Sequence, residues 1–214
     1  HKAATYIETA LLASKLGLSP ILVIEKLTEL DTILRVSEQL EIEPVIGVRT
    51  KLGIKGSGRW SDSGGDRSKF GLTTRQIVEV VERLQEMNRI HWLKLLHYHI
   101  GSQVTDIRAV KRALREGART FIELREMGAP IEYFDVGGGL GIDYDGSSTN
   151  FESSMNYTLE EYARDVVYNI SEACAESGVP QPAIVTESGR ALTAHHALLV
   201  TEVLGGTEYA TSEV

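Results

Sequence analysis

Residues 131–141 read IEYFDVGGGLG, a short run rich in aromatic and β-branched side chains that stops abruptly in Gly137, Gly138 and Gly139. Such a run, bounded by glycine, predicts a strand over residues 131–136. Glycines at a strand end let backbone amides approach an anion closely, as a phosphate cradle requires. The run is not a nucleotide-type phosphate loop, because no Lys-Ser/Thr follows it. Nor does it open straight into a helix, as a dinucleotide fingerprint does. A tight strand-to-loop turn is the alternative reading.

Outward from this stretch, short apolar runs alternate with amphipathic segments of fifteen or more residues, the rhythm of a parallel βα repeat. Strands are predicted over 21–25 (ILVIE), 44–49 (PVIGVR), 93–100 (LKLLHYHI) and 183–187 (AIVTE), and ALLVTEVL from Ala197 is a candidate for one more. Between them, Ile77, Val80, Val81, Leu84 and Met87 keep the spacing of one buried helix face, with Thr73 and Gln76 as a capping box. Thr105 or Asp106 caps a helix that runs to Met127 and stops at Gly128, and Thr158 with Glu161 opens another after a polar loop over 143–157. Five βα units fit either a doubly wound sheet or a barrel. Both architectures place ligands at the C-terminal ends of strands. The polar and glycine-rich signatures fall at the ends of the second to fifth strands, so one pocket is implied.

The chain has 214 residues and is 42% hydrophobic, enough for one domain or most of one. Its 30 acidic and 22 basic residues give a net charge of -8 with no basic run, which disfavours nucleic acid and anionic membrane surfaces as partners. Small-molecule chemistry remains. The lone Cys174 sits near Val166, Ile170 and Ala173 in a helical pattern and reads as a buried structural thiol, so a disulfide framework is excluded. No apolar stretch is long enough to span a bilayer, the first residues lack the features of a signal peptide, and a reducing cytoplasm fits. The start without Met and the end at TSEV read as a segment cut from a longer chain.

The fifth strand ends in ESGR, which sets Glu187 and Arg190 around Ser188 and Gly189. Arginine suits bidentate phosphate contact, and a carboxylate facing a pyridine nitrogen would hold it protonated. A surface ion pair is the plainer reading. In HIGS, His99 lies two residues after His97, so both imidazoles share one face of the strand and Tyr98 takes the other. His97 reads as structural, and His99 as a candidate to meet a ligand. The pairs His97/His99 and His195/His196 have no cysteine or carboxylate at a familiar ligand spacing, so no metal site is predicted. Ser102 and Ser188 do not lie in a nucleophile elbow.

Taken together, SKFGL (68–72), LLHYHIGSQ (95–103), FDVGGGLGIDYDG (134–146) and TESGRALTAHH (186–196) closely resemble the fold-type III decarboxylases that use pyridoxal 5'-phosphate (PLP), across essentially the whole chain. HIGS, GGG and E-x-GR are shared with ornithine and diaminopimelate decarboxylases. GSGRW (56–60) and the stretch from IDYDG to NYTLEEYA resemble the arginine branch. The resemblance implies an α/β fold, a partial (β/α)8 TIM-type barrel of the alanine racemase kind with about five βα units. It also implies site roles. His99 would stack on the pyridine ring, Ser102 would lie near the phosphate, and Gly137, Gly138, Gly139, Gly189 and Arg190 would bind it. Glu187 would pair with the ring nitrogen, which favours decarboxylation over racemisation because racemases place a basic residue there. Asp135, and Asp143, Tyr144 and Asp145 after the glycine turn, are candidates for facing the substrate, with a solvated acidic loop as the alternative.

The family's cofactor-tethering lysine sits upstream in a motif resembling IK-x-N, which this chain lacks; Lys26 reads as a helix-starting surface residue. Residues 1–204 are expected to be the central part of the barrel, and 205–214 the start of a connection toward a C-terminal β-domain. The implied activity, conversion of L-arginine to agmatine and CO2 in polyamine (spermidine) biosynthesis, therefore belongs to a parent protein, and the segment alone is expected to be inactive. The resemblance also implies a magnesium ion and a homo-oligomer, dimer or tetramer. A non-catalytic regulatory relative, or a decarboxylase of diaminopimelate, ornithine or another basic amino acid, are the alternatives.

Overall fold

A computed structural model describes residues 2–53, 69–144, 146, 148–149 and 154–206. The stretch GSGRW and Asp145 lie outside the described residues. Five strands, β1 (Ile21–Ile24), β2 (Val45–Arg49), β3 (Leu93–His97), β4 (Tyr133–Gly138) and β5 (Ala183–Glu187), form one parallel sheet in the order β1-β2-β3-β4-β5. Spatial order follows sequence order throughout. A doubly wound sheet reverses direction at a switch point, and this sheet has none, so the arrangement is five consecutive units of a (β/α)8 barrel.

Helices α2 (Leu27–Leu40), α3 (Thr74–Glu86), α4 (Ile107–Glu126) and α5 (Leu159–Ser177) make the crossovers, and α6 (Gly189–Thr193) follows β5. Their starts are set by side-chain caps. Thr73 and Thr158 form full capping boxes with Gln76 and Glu161, while Asp106, rather than Thr105, accepts from the Arg108 amide at 3.0 Å. Met87, expected on the buried face of α3, is its half-exposed C-terminal cap residue. A helix not predicted from sequence, α1 (Ala4–Ser14), packs on α2 with only Ile7 and Leu11 buried, a stripe too thin to signal amphipathicity. Its end is anchored through Glu29, whose carboxylate takes the backbone amides of Lys2 and Glu25 at 2.7 and 2.8 Å.

The sheet has two distinct faces. Ile24, Val48, Leu96 and Phe134 align in register on the helix side, all fully buried. There the Phe134 ring stacks on Phe121 of α4 at 5.7 Å and meets Tyr98 edge-on at 5.8 Å. In α5, Tyr162, Val166, Ile170 and Cys174 bury one stripe, and burial pushes the Cys174 thiol up, in keeping with a structural residue. The opposite, barrel-interior face carries Val23, Gly47, Leu95 and Tyr133 in register, then Arg49, His97 and Asp135 in the next layer toward the C-terminal ends. Arg49 pairs with Glu25 at 2.5 Å.

Two sequence expectations change. β3 ends at His97, whereas β4 runs through Gly137 into Gly138, which pairs with Glu187 after a register shift. The run ALLVTEVL forms no strand: residues 197–204 carry no regular structure, and Leu198, Leu199, Val200, Val203 and Leu204 are largely exposed. A strand needs a neighbour for its ladder, and among the described residues none pairs beyond β5. No helix among the described residues is long and apolar enough to cross a membrane.

Candidate active site

A cavity of about 270 Å³ opens where β3, β4 and β5 end, and it is lined by His99, Ser102, Gly139, Glu187, Gly189 and Arg190 among others. Three loops that are distant in sequence thus meet at one point. Arg190, in the first turn of α6, donates to the Ser102 hydroxyl at 2.6 Å and to the Gln103 side-chain oxygen at 3.3 Å. Among the described residues Arg190 makes these two contacts to neutral oxygens rather than the surface ion pair considered from sequence.

The glycine run explains how the loops come so close. A β-carbon on Gly138 would strike the Glu187 carbonyl, and one on Gly139, whose φ is +85°, would strike the Gly101 carbonyl. The turn needs glycine at Gly138 and Gly139 for this backbone approach, and the approach leaves Gly139 facing the cavity. Gly137 and Gly138 sit behind it. The Gly137 amide donates to Asp135 Oδ1 at 2.9 Å, and the Gly138 amide points at His99 Nδ1, 3.5 Å away.

Burial holds the His99 imidazole below its ordinary pKa, and the Arg49 guanidinium and His97 act in the same direction, with Asp135 opposing them. The shift favours the neutral form of the ring. Tyr98 takes the helix face as alternation requires, and His97 is buried on the interior face. His97 Nδ1 lies 3.1 Å from Asp135 Oδ2 but without hydrogen-bond alignment, so it has no hydrogen-bond partner. Donor atoms of His97, Asp135 and Glu187 all lie within 4.8 Å of one another. Local spacing gave no sign of this grouping, because each residue comes from a different strand.

The acidic loop residues are placed elsewhere. Asp143 accepts from the Ser148 amide at 2.8 Å, Tyr144 is exposed, and neither lines the cavity; Asp135 is buried below it. No lysine among the described residues lines the cavity, and Lys26 is the exposed N-cap position of α2. Two structural supports were not singled out from sequence. Gln103, at φ +55°, clamps Ile142 through both ends of its amide, accepting from the Ile142 nitrogen at 3.1 Å and donating to its carbonyl at 2.5 Å. The Tyr157 hydroxyl donates to the Val104 carbonyl at 2.7 Å and accepts from the Gly141 amide at 2.9 Å. Gln103 stands in the HIGSQ string, but a glutamine in a loop carries no chemical signal by itself.

Residues 2–194 match the family described as pyridoxal-dependent decarboxylase, pyridoxal binding domain, and the chain belongs to that family. It is similar to the biosynthetic arginine decarboxylase of Deinococcus radiodurans, with 54% identity over 202 residues, covering 94% of this chain and 30% of the relative. Among solved structures it is similar to the biosynthetic arginine decarboxylase of Campylobacter jejuni (TM-score 0.76, 35% identity, 89% of this chain and 30% of that one). A diaminopimelate decarboxylase of Helicobacter pylori complexed with L-lysine is similar over 88% of this chain and 43% of that one (TM-score 0.67, 26% identity). The chain spans about a third of the length of the curated arginine decarboxylases it matches.

Proposed function

We propose that these 214 residues are the cofactor-cradling part of a PLP-dependent decarboxylase whose full-length protein converts L-arginine to agmatine and CO2 in polyamine biosynthesis. The observation that carries the reading is the convergence of Arg190, Ser102, Gly139, His99 and Glu187 on one cavity. These groups fit the cofactor's three parts. The Arg190 guanidinium, the Ser102 hydroxyl and the backbone amides of Gly139 and Gly189 suit a phosphate dianion, with Gly137 and Gly138 shaping that seat. The neutral His99 ring suits the face of a pyridine. Glu187 offers the carboxylate that holds a ring nitrogen protonated.

When bound, PLP supplies an electron sink for the electron pair left at Cα as the bond to the carboxylate breaks. Glu187 would sustain that capacity by offering its carboxylate to the ring nitrogen. Arg190 and Ser102 would hold the phosphate end and His99 would bound the ring, so the cofactor would be positioned by groups away from the reacting carbon. The overall change consumes one proton, which replaces CO2 on Cα. The covalent tether is assigned to a lysine of the parent outside this chain, so the isolated segment is expected to release no agmatine.

Residues 1–204 then form the central barrel segment and 205–214 lead toward a β-domain. Magnesium, a dimer or tetramer and a cytoplasmic location complete the reading on family resemblance alone; a substrate-facing role for Asp135, Asp143 and Tyr144 rests only on their position around the glycine turn, and neither Asp143 nor Tyr144 lines the cavity. The retention of His99, Glu187 and Arg190 together supports an enzyme over a non-catalytic relative, and the arginine-branch identity supports arginine over diaminopimelate or ornithine. The test is purified full-length protein with PLP and each amino acid in turn. Agmatine and CO2 from arginine are expected, whereas turnover of diaminopimelate or ornithine instead, or no PLP bound at all, overturns the reading.

A further inference from the structure

We infer that His97 is a positioning residue for the ring-nitrogen carboxylate, with its Nδ1–H the donor that lets the Asp135 and Glu187 carboxylates lie side by side. The inference rests on the cofactor reading above and assigns roles to two residues that the reading leaves as structural or substrate-facing.

The geometry begins with strand register. His97 and Asp135 are directly paired across β3 and β4, and both point to the barrel interior, where the end of β5 brings Glu187 beside them. Donor atoms of the three fall within 4.8 Å of one another. Two carboxylates at that range repel, although solvent screens the exposed Glu187. A donor between the two anions relieves that repulsion and lets Glu187 lie beside Asp135 while it faces a ring nitrogen.

Asp135 already commits one oxygen, Oδ1, to the Gly137 amide at 2.9 Å. Its other oxygen faces His97 Nδ1 at 3.1 Å. The His97 side chain is only 8% exposed, and Nδ1 makes no aligned hydrogen bond, although a buried polar atom ordinarily has one. A small rotation of the ring turns that donor onto Asp135 or shares it with Glu187. The other charged groups near this face are otherwise engaged. Glu25 and Arg49 pair with each other at 2.5 Å, Arg190 bonds to Ser102 on the phosphate side, and His99 turns its Nδ1 toward the Gly138 amide. His97 is thus the donor placed at the paired carboxylates.

The test uses the full-length holoprotein carrying PLP labelled with ¹⁵N in its ring. In the wild type the ring nitrogen is expected to be protonated; if PLP does not bind, or its nitrogen is neutral, it is the cofactor reading that fails. His97→Phe keeps a ring and removes the donor. It is expected to move the ¹⁵N signal toward neutral pyridine and to weaken PLP binding about tenfold or more, the factor that loss of a hydrogen bond to a charged group gives. The ³¹P signal of the phosphate should stay in place. His97→Asn, which returns an N–H near the Nδ1 position, and the double variant His97→Phe with Asp135→Asn, which removes the repulsion, should each restore the protonated signal. An unchanged ¹⁵N signal in His97→Phe, or failure of both rescues, overturns the inference. Should His97→Phe not fold, the wild type decides: His97 Nδ1 must give the ¹⁵N shift of a protonated ring nitrogen, and a bare Nδ1 contradicts the proposal.

Discussion

Arg190 reaches across from the end of β5 to donate to the Ser102 hydroxyl at 2.6 Å, closing a contact between residues 88 positions apart in sequence. The bond ties the β3 and β5 loops together over the rim of the cavity. It also leaves the guanidinium's remaining donors available to an anion seated there.

The first prediction concerns that clamp. Arg190→Lys keeps the charge and loses the planar fork, so it should weaken PLP binding to the full-length protein by roughly 1.5–3 kcal/mol, the range for hydrogen bonds to charged groups. Equilibrium dialysis reads this directly. Unchanged affinity would mean that the phosphate sits elsewhere.

Gly139→Ala drives a methyl group into the Gly101 carbonyl and forces a residue with a side chain to φ +85°. Backbone strain of this kind costs on the order of 1–3 kcal/mol before any clash is counted. Gly178→Ala, with φ +64° and open space around it, supplies the control with conformational strain alone. Thermal unfolding should show the larger loss for Gly139→Ala.

His99 gives a pH dependence with a definite sign. Its pKa is lowered in the folded protein, chiefly by burial, so the unfolded chain takes up its proton first as pH falls. The contribution of a neutral His99 is therefore complete above about pH 6.5, the unperturbed value, and is lost as pH drops toward its lower folded pKa. Denaturant titrations at a series of pH values should show that decline to be smaller in His99→Gln.

At the start of α5, Thr158 accepts from the Glu161 amide at 3.1 Å, and Glu161 in return accepts from the Thr158 amide at 2.7 Å. Thr158→Ala should cost about 1 kcal/mol of stability. Chemical denaturation measures it, and no change would show that tertiary packing alone fixes the helix start.

Much of this was legible in the sequence because the signals were local. The capping boxes at Thr73 and Thr158, the strand AIVTE and the alternation of His97, Tyr98 and His99 all depend on residues a few positions apart. What was not legible depended on contacts between strands. The clustering of His97, Asp135 and Glu187 exists only because β3, β4 and β5 lie in consecutive order, and the clamp by Gln103 needs the Ile142 backbone beside it. The apolar run over 197–204 shows the reverse limit: its composition is that of a strand, yet pairing is decided by a neighbour, and among the described residues none pairs with it. Asp143 and Tyr144 look available to a substrate by position, yet neither is among the residues that line the cavity.

The most direct test of the central claim is a crystal structure of the full-length protein with PLP bound. The phosphate should lie within hydrogen-bond distance of Arg190, Ser102 and the Gly139 amide, with the ring face on His99 and the ring nitrogen against Glu187. A cofactor seated with its ring nitrogen away from Glu187, or with its phosphate outside the cavity that Arg190 and Ser102 close, would contradict the account.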